Sequence, residues 1–268
     1  MGIQRTKAIV LKSLNFAETD KIITLYTQSF GKIGTIAKGV RKINSKLGNS
    51  FEPGTLLDVI FYEKESSNLS NIRQSNIIDF FRDIRDDFTL LSGSFYMLSA
   101  VNEMTREKQQ NDLLFKLLQE SLFFLSKIGD VFKSIALFEI KMLKILGYEP
   151  NLRECSECRE EVRGREVNFS ISSSSVVCSK CTEPWDNTVP ISMGTVKTIE
   201  KMKEWSINKS INLKPSSTSM EEIKKILYPS IMYHLGKEIK ARSFLENTHH
   251  LYSKHPAAEG NSISGWEL

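Results

Sequence analysis

The first eighty residues alternate apolar and polar positions in short runs. "TKAIVLKSL", "KIITLYT", "KIGTIAKGV", "LLDVIFYE" and "LSNIRQSNIID" are rich in Ile, Val, Leu, Thr and Tyr. Turn-prone breaks at residues 15–20, 29–32, 44–54 and 63–68 separate them. Five short strands in about seventy residues predict a small closed barrel, because a flat sheet of that size would leave its edges open. Gly31, Gly34 and Gly39 gather around the third run, where a tightly coiled strand needs bends. A five-stranded Greek-key barrel of the OB type fits best; an SH3-like barrel would carry nearly the same pattern.

From about Phe80 the period changes. Phe88, Leu91, Phe95, Leu98 and Val101 recur at helical spacing, as do Leu113, Leu114, Leu117, Leu118, Leu122 and Leu125. A third helix carrying Ile135, Phe138, Leu143 and Leu146 stops at "GYEP", where Gly147 and Pro150 both terminate helices. Residues 151–190 break the pattern. Helical periodicity returns from Gly194 to Trp205 and from Met220 to Leu245, with Ser217 or Ser219 as N-cap. The expected class is α+β: a barrel domain over 1–79, a helical domain over 80–150 and 191–248, an insertion over 151–190, and a disordered tail over 249–268.

Length and composition suit a folded chain with a real core. No secretory h-region and no apolar run of about 18 residues is found, so a cytoplasmic, nucleoid-associated protein is expected. The net charge of +4 matters less than its distribution. Residues 1–80 hold 11 Lys and Arg against 7 Asp and Glu, whereas the rest is nearly balanced. Between Asp20 and Glu52 there is no acid at all, while Lys21, Lys32, Lys38, Arg41, Lys42 and Lys46 accumulate.

All the cysteines fall in the insertion, as Cys155-Ser-Glu-Cys158 and Cys178-Ser-Lys-Cys181. Each C-x2-C turn can present two thiolates to one ion, and two such turns complete a tetrahedral all-sulfur set suited to Zn2+. Redox dithiols are the competing reading, but no strand-to-helix redox motif surrounds them. Four thiolates leave no open position for water, so one structural zinc is expected. No phosphate loop, dinucleotide fingerprint or nucleophile elbow is present, and His234 reads as a packed or surface residue. The chain is not expected to be an enzyme. Asp83, Asp86 and Asp87, beside Arg82 and Arg85, read as a solvated helix start.

A barrel with an acid-free cationic segment is suited to a polyanion, whose counterions the cations displace. Tyr26, Phe30, Phe51 and Tyr62 are candidate platforms for unpaired bases, with core or rim packing as the alternative at each. Besides DNA binding, an OB-fold and zinc-ribbon protein acting on RNA or in transcription would read similarly.

Four stretches carry a family resemblance: "KAIVLKSLNFAETDKIITLYTQSFGKIGTIAKGVRK", "FFRDIRDDF", "LFEIKMLKILGYEPNLRECSEC" with the second pair "CSKC", and "HLGKEIKARSFL". On these the chain resembles the bacterial RecO family of recombination mediators to about Leu245. The resemblance implies an OB-fold domain and a helical domain interrupted by a zinc finger. It implies binding of single- and double-stranded DNA, annealing of complementary strands, and work with RecR and single-stranded-DNA-binding protein in loading RecA. The family's K-G-[AV]-R region falls on Lys38, Arg41 and Lys42. The acidic C-terminal tail of the single-strand-binding partner is expected on the helical domain, where Lys141, Lys144, Lys237, Lys240 and Arg242 are available cations. Two departures stand out. Arg159 follows the second cysteine where the family commonly has glycine, and "SISSSSVV" replaces a glycine-containing approach to the third, so both sites lack a residue that accepts positive φ readily.

Overall fold

The computed structural model describes residues 2–45, 47–63, 69–162, 164, 166–182 and 187–254. Five strands, β1 (Ile3–Phe16), β2 (Asp20–Thr27), β3 (Gly31–Ala37), β4 (Leu56–Tyr62) and β5 (Ser70–Asp79), close into a barrel of order β1-β2-β3-β5-β4. All pairings are antiparallel except β3 with β5. Ala8, Val10, Ile23, Leu25, Ile33, Leu57, Val59 and Phe61 fill its interior. A bulge between Val10 and Lys12 shifts the register of β1 against β2.

The barrel joins the helices through one end of its outer face. Ile9, Leu11, Tyr26 and Leu56 belong to the helical core rather than to the barrel interior. That core is built by α1 (Arg82–Arg85), α2 (Phe88–Met104), α3 (Asp112–Ile128) and α4 (Val131–Leu146). Asp87, Asn111 and Asp130 cap the last three by accepting backbone N–H bonds, so Asp87, exposed at a helix start as expected, is also the N-cap of α2. Gly129 and Gly147 end α3 and α4 in the left-handed conformation. A Cβ on Gly93 would lie 2.7 Å from Val131, so glycine lets α2 and α4 approach closely.

The insertion contains a three-stranded antiparallel sheet, β7 (Ser175–Val177), β6 (Glu166–Ser170) and β8 (Thr188–Ser192). Its three- and five-residue strands are too short to leave a clear alternation in the sequence. Three helices follow: α5 (Met193–Glu204), α6 (Ile207–Ser210) and α7 (Ser217–Leu235). The cap of α7 is Ser216, and the expected helical stretch to Leu245 divides at Gly236, whose φ of 72° ends α7. Then α8 (Lys240–Lys254) runs past the expected start of the tail at 249; residues 255–268 lie outside the described residues. No helix among the described residues is long and apolar enough to cross a membrane.

Candidate metal centre and nucleic-acid interface

The two cysteine pairs arrive from different parts of the insertion. The Ser156 amide donates to Val176 O, and the Asn151 amide to Ser174 O, both at 3.0 Å, which lays the first pair beside the β6–β7 hairpin. All four sulfurs lie within 4.8 Å of one another, and Cys158 Sγ is 3.8 Å from Cys178 Sγ. A sulfur–sulfur disulfide bond is about 2.05 Å, whereas the edge of a tetrahedron with 2.3 Å zinc–sulfur bonds is about 3.8 Å. The group could therefore hold a metal ion, and its spacing fits a thiolate tetrahedron.

The electrostatics lead to the same conclusion. Burial alone would raise the Cys155 thiol, but N–H groups of Cys178, Cys158 and Glu157 face its sulfur and bring it to about 6. Cys181 is pushed up to about 12, first by its hydrogen bond with Cys178 and then by burial. Such close sulfurs cannot all ionise alone; a cation among them relieves the conflict. Arg159 and Ser174 keep positive φ, 62° and 48°, so the turns hold the left-handed geometry without glycine. Ser174 Oγ lies 3.0 Å from His234 Nε2, and the His234 ring stacks on Tyr148 at 4.4 Å. His234 is thus a packing residue that ties the insertion to α7.

The six barrel cations do not share one surface. Lys38, Arg41 and Lys42 are exposed on the turn that leaves β3. This turn is clamped to the β1–β2 turn: the Arg41 amide donates to Thr19 O at 2.9 Å, and Arg41 Nη1 to Glu18 O at 3.1 Å. The Gly39 amide donates to Asp20 Oδ1 at 2.8 Å. That bond, with Lys38 and Lys42 nearby, holds the Asp20 carboxyl below its usual value. Lys21 pairs with Glu52 at 3.1 Å, so the acid that bounds the segment in sequence is its partner in space. Lys32 is withdrawn altogether, because its Nζ donates to Asn102 O at 2.5 Å and Thr105 O at 2.6 Å where the barrel meets α2. Lys46 lies outside the described residues.

The expected stacking platforms also need correction. Tyr26 and Phe51 are 0% and 1% exposed; the first packs under the helices and the second inside the barrel. Phe30 packs edge-on against Phe61 at 5.5 Å. Tyr62 remains half-buried on the outside, with Arg73 over its ring at 5.5 Å.

On the helical side, α3, α4 and the segment before α6 enclose a groove of about 260 Å3. Leu113, Leu117 and Ile145 give it an apolar floor, and Lys116, Lys141 and Lys144 stand around it. Arg242 is not among its cations; it is 2% exposed and pairs with buried Glu139. Lys237 instead pairs with Glu103 at 2.5 Å.

Comparison with known proteins follows this division. Residues 1–81 match the family described as recombination protein O N terminal, and residues 85–243 match recombination protein O C terminal. DNA repair protein RecO of Thermodesulfovibrio yellowstonii is 34% identical over 236 residues, which cover 86% of this chain and 93% of that protein. RecO of Thermoanaerobacter sp. is 31% identical over 251 residues, covering 92% and 98%. RecO of Bacillus subtilis is 28% identical over 260 residues, covering 97% and 100%.

Proposed function

The chain belongs to the RecO family of DNA repair proteins, and from that premise we propose that it is a non-enzymatic recombination mediator. It binds single- and double-stranded DNA, anneals complementary strands, and acts with RecR and single-stranded-DNA-binding protein to load RecA. The observation that carries this reading is the turn of Lys38, Arg41 and Lys42, held in one shape by Asp20 and the 17–19 carbonyls. A fixed cationic turn neutralises phosphates without side chains having to collapse onto them. Neutralised strands repel each other less, while their bases stay free to pair.

Cys155, Cys158, Cys178 and Cys181 would hold one zinc ion, which supplies cross-linking of the insertion and no open position for chemistry. The family's acidic partner tail would lie in the α3–α4 groove, its apolar side chains on Leu117 and Ile145 and its carboxylates near Lys116 and Lys144.

Fluorescence anisotropy of a labelled DNA strand across a salt series tests the proposal. The Lys38→Ala/Arg41→Ala/Lys42→Ala protein should show a log–log salt slope shallower by about two units, at about 0.7 per phosphate contact. An unchanged slope would remove the turn from the DNA path. Tighter binding to RNA than to DNA of one sequence would favour the RNA or transcription reading.

A further inference from the structure

The four lysines that line the groove between α3 and α4 are of two kinds. Lys141 Nζ donates to Trp205 O at 2.6 Å and Lys203 Nζ to Pro150 O at 3.2 Å, so both are tied to the backbone. Lys203 is also held by Glu200 at 3.0 Å, and its side chain is only 10% exposed. Lys116 and Lys144 are exposed, and each faces a carboxylate of this chain. Lys116 lies 3.8 Å from Glu120, and Lys144 lies 3.8 Å from Glu149. Both separations are longer than a hydrogen bond, so these contacts are electrostatic and loose.

The chain brings the two acids there by different routes. Glu120 follows Lys116 by one turn of α3, so both share a helix face. Glu149 comes from beyond α4. Gly147 turns the chain with φ of 84°, the Tyr148 amide donates back to Leu143 O at 2.8 Å, and Pro150 keeps the helix from resuming. Glu149 Oε1 then lies 3.8 Å from the Lys144 ammonium and 2.9 Å from that of Lys203. It lines a second cleft, of about 270 Å3, that shares Lys144 and Lys203 with the groove. Glu120, Glu149 and Glu200 thus answer Lys116, Lys141, Lys144 and Lys203, and the site carries little net charge. A carboxylate entering the groove has to compete for ammonium groups that already have partners.

We infer that Glu120 and Glu149 are resident counter-anions, which hold Lys116 and Lys144 until the carboxylates of an acidic ligand replace them. The inference rests on the reading of the groove as a site for an acidic tail, and it adds how that site selects. Apolar side chains on Leu117 and Ile145 supply the attraction. The glutamates set how much of the ligand's charge becomes affinity. A ligand without acids leaves both lysines with their own glutamates. A ligand whose two carboxylates reach Lys116 and Lys144 exchanges one set of pairs for another. Exposed pairs are individually weak and screened by salt, so the exchange is readily reversible.

The test uses the full chain and two labelled peptides amidated at the C-terminus. One carries two aspartates ahead of a leucine and a phenylalanine; the other has asparagines in place of the aspartates. Glu120→Gln/Glu149→Gln keeps an acceptor for Lys203 and removes both charges. It should bind the aspartate peptide roughly three- to tenfold more tightly than wild type at low salt, with affinity that falls more steeply as salt rises. The asparagine peptide should bind both proteins equally. In Lys116→Ala/Lys144→Ala the aspartate peptide should lose its advantage, and adding the two glutamine substitutions there should change nothing. All four side chains are exposed, so the melting temperature should hold in each variant. If the glutamine protein binds the aspartate peptide like wild type, or gains as much without the two lysines, the counter-anion role is wrong. If no protein binds either peptide, or loss of the two lysines leaves the aspartate peptide's advantage intact, the reading of the groove fails first.

Discussion

Arg242 reaches Glu139 across 103 positions of the chain, its Nη1 donating to Oε1 at 3.0 Å with both side chains buried. Tyr96 donates its hydroxyl to the same oxygen at 2.5 Å, and Arg242 Nε donates to Glu246 at 2.8 Å. The guanidinium lies 4.9 Å from the Tyr228 ring centre and 5.2 Å from that of Tyr96. Burial pushes the Glu139 carboxyl up, and Arg242 opposes that shift. The cluster fastens α8 to α2, α4 and α7, so a cation that looked available to a partner is instead a bolt in the core.

Removing one member of a buried pair leaves an uncompensated charge. Arg242→Met alone should cost about 3–5 kcal/mol in urea unfolding, and Glu139→Leu added to it should recover most of the loss. Equal stability of the single and double variants would show that the pair is not coupled.

Arg159 holds φ of 62° beside Cys158, one of the four cysteines that could hold a metal ion. Left-handed backbone costs a side-chain-bearing residue roughly 1–2 kcal/mol, so Arg159→Gly should stabilise the insertion by up to about 1 kcal/mol after glycine's own entropy. Arg159→Ala keeps the Cβ and should give no gain. Thermal melts of the metal-loaded protein compare the two; equal gains would remove the backbone explanation.

Purified protein should carry one zinc per chain by elemental analysis, and a chelator should lower its melting temperature. The Cys158 and Cys181 thiols are raised above their ordinary value, so adding zinc to metal-free protein near pH 7.5 should release protons. Affinity should fall with acidification, most steeply as pH drops through about 6, where Cys155 regains its proton. Zinc retained after Cys155→Ser/Cys178→Ser would place the metal elsewhere.

Lys32 Nζ is held by the carbonyls at the end of α2, so its removal is expected to cost stability rather than DNA affinity. Lys32→Ala leaves the Asn102 and Thr105 carbonyls without their charged donor and should cost about 1.5–3 kcal/mol. Its DNA salt slope should match wild type. A shallower slope would return Lys32 to the binding path.

Asp20 gives the basic turn a pH limit. Its folded pKa lies below the unfolded value of about 3.9, so the clamp stabilises the turn above that value and is lost as pH falls through the lower folded one. Amide exchange should show Gly39 protected at neutral pH and unprotected in strong acid. In Asp20→Ala, Gly39 should be unprotected throughout; protection that survives there would locate the clamp in the Arg41 bonds alone.

The sequence by itself determined the five strands, the main apolar helices, the four metal-ligating candidates and the cationic turn. Each rests on local information: alternation at period two, recurrence at 3.6, the spacing within a C-x2-C turn, or the acid-free run between Asp20 and Glu52. The tertiary structure decided which cations of that run are on the surface. Lys21 and Lys32 are as cationic in sequence as Lys38 and Lys42, yet Glu52 neutralises one and the end of α2 absorbs the other. It also exchanged the aromatics: Tyr26 and Phe51 are buried, and Phe16, which no local signal distinguished, is open. Charge and aromaticity belong to a residue, but exposure belongs to the register of a closed barrel and to what packs against it, and a single bulge in β1 was enough to turn Leu14 and Phe16 outward.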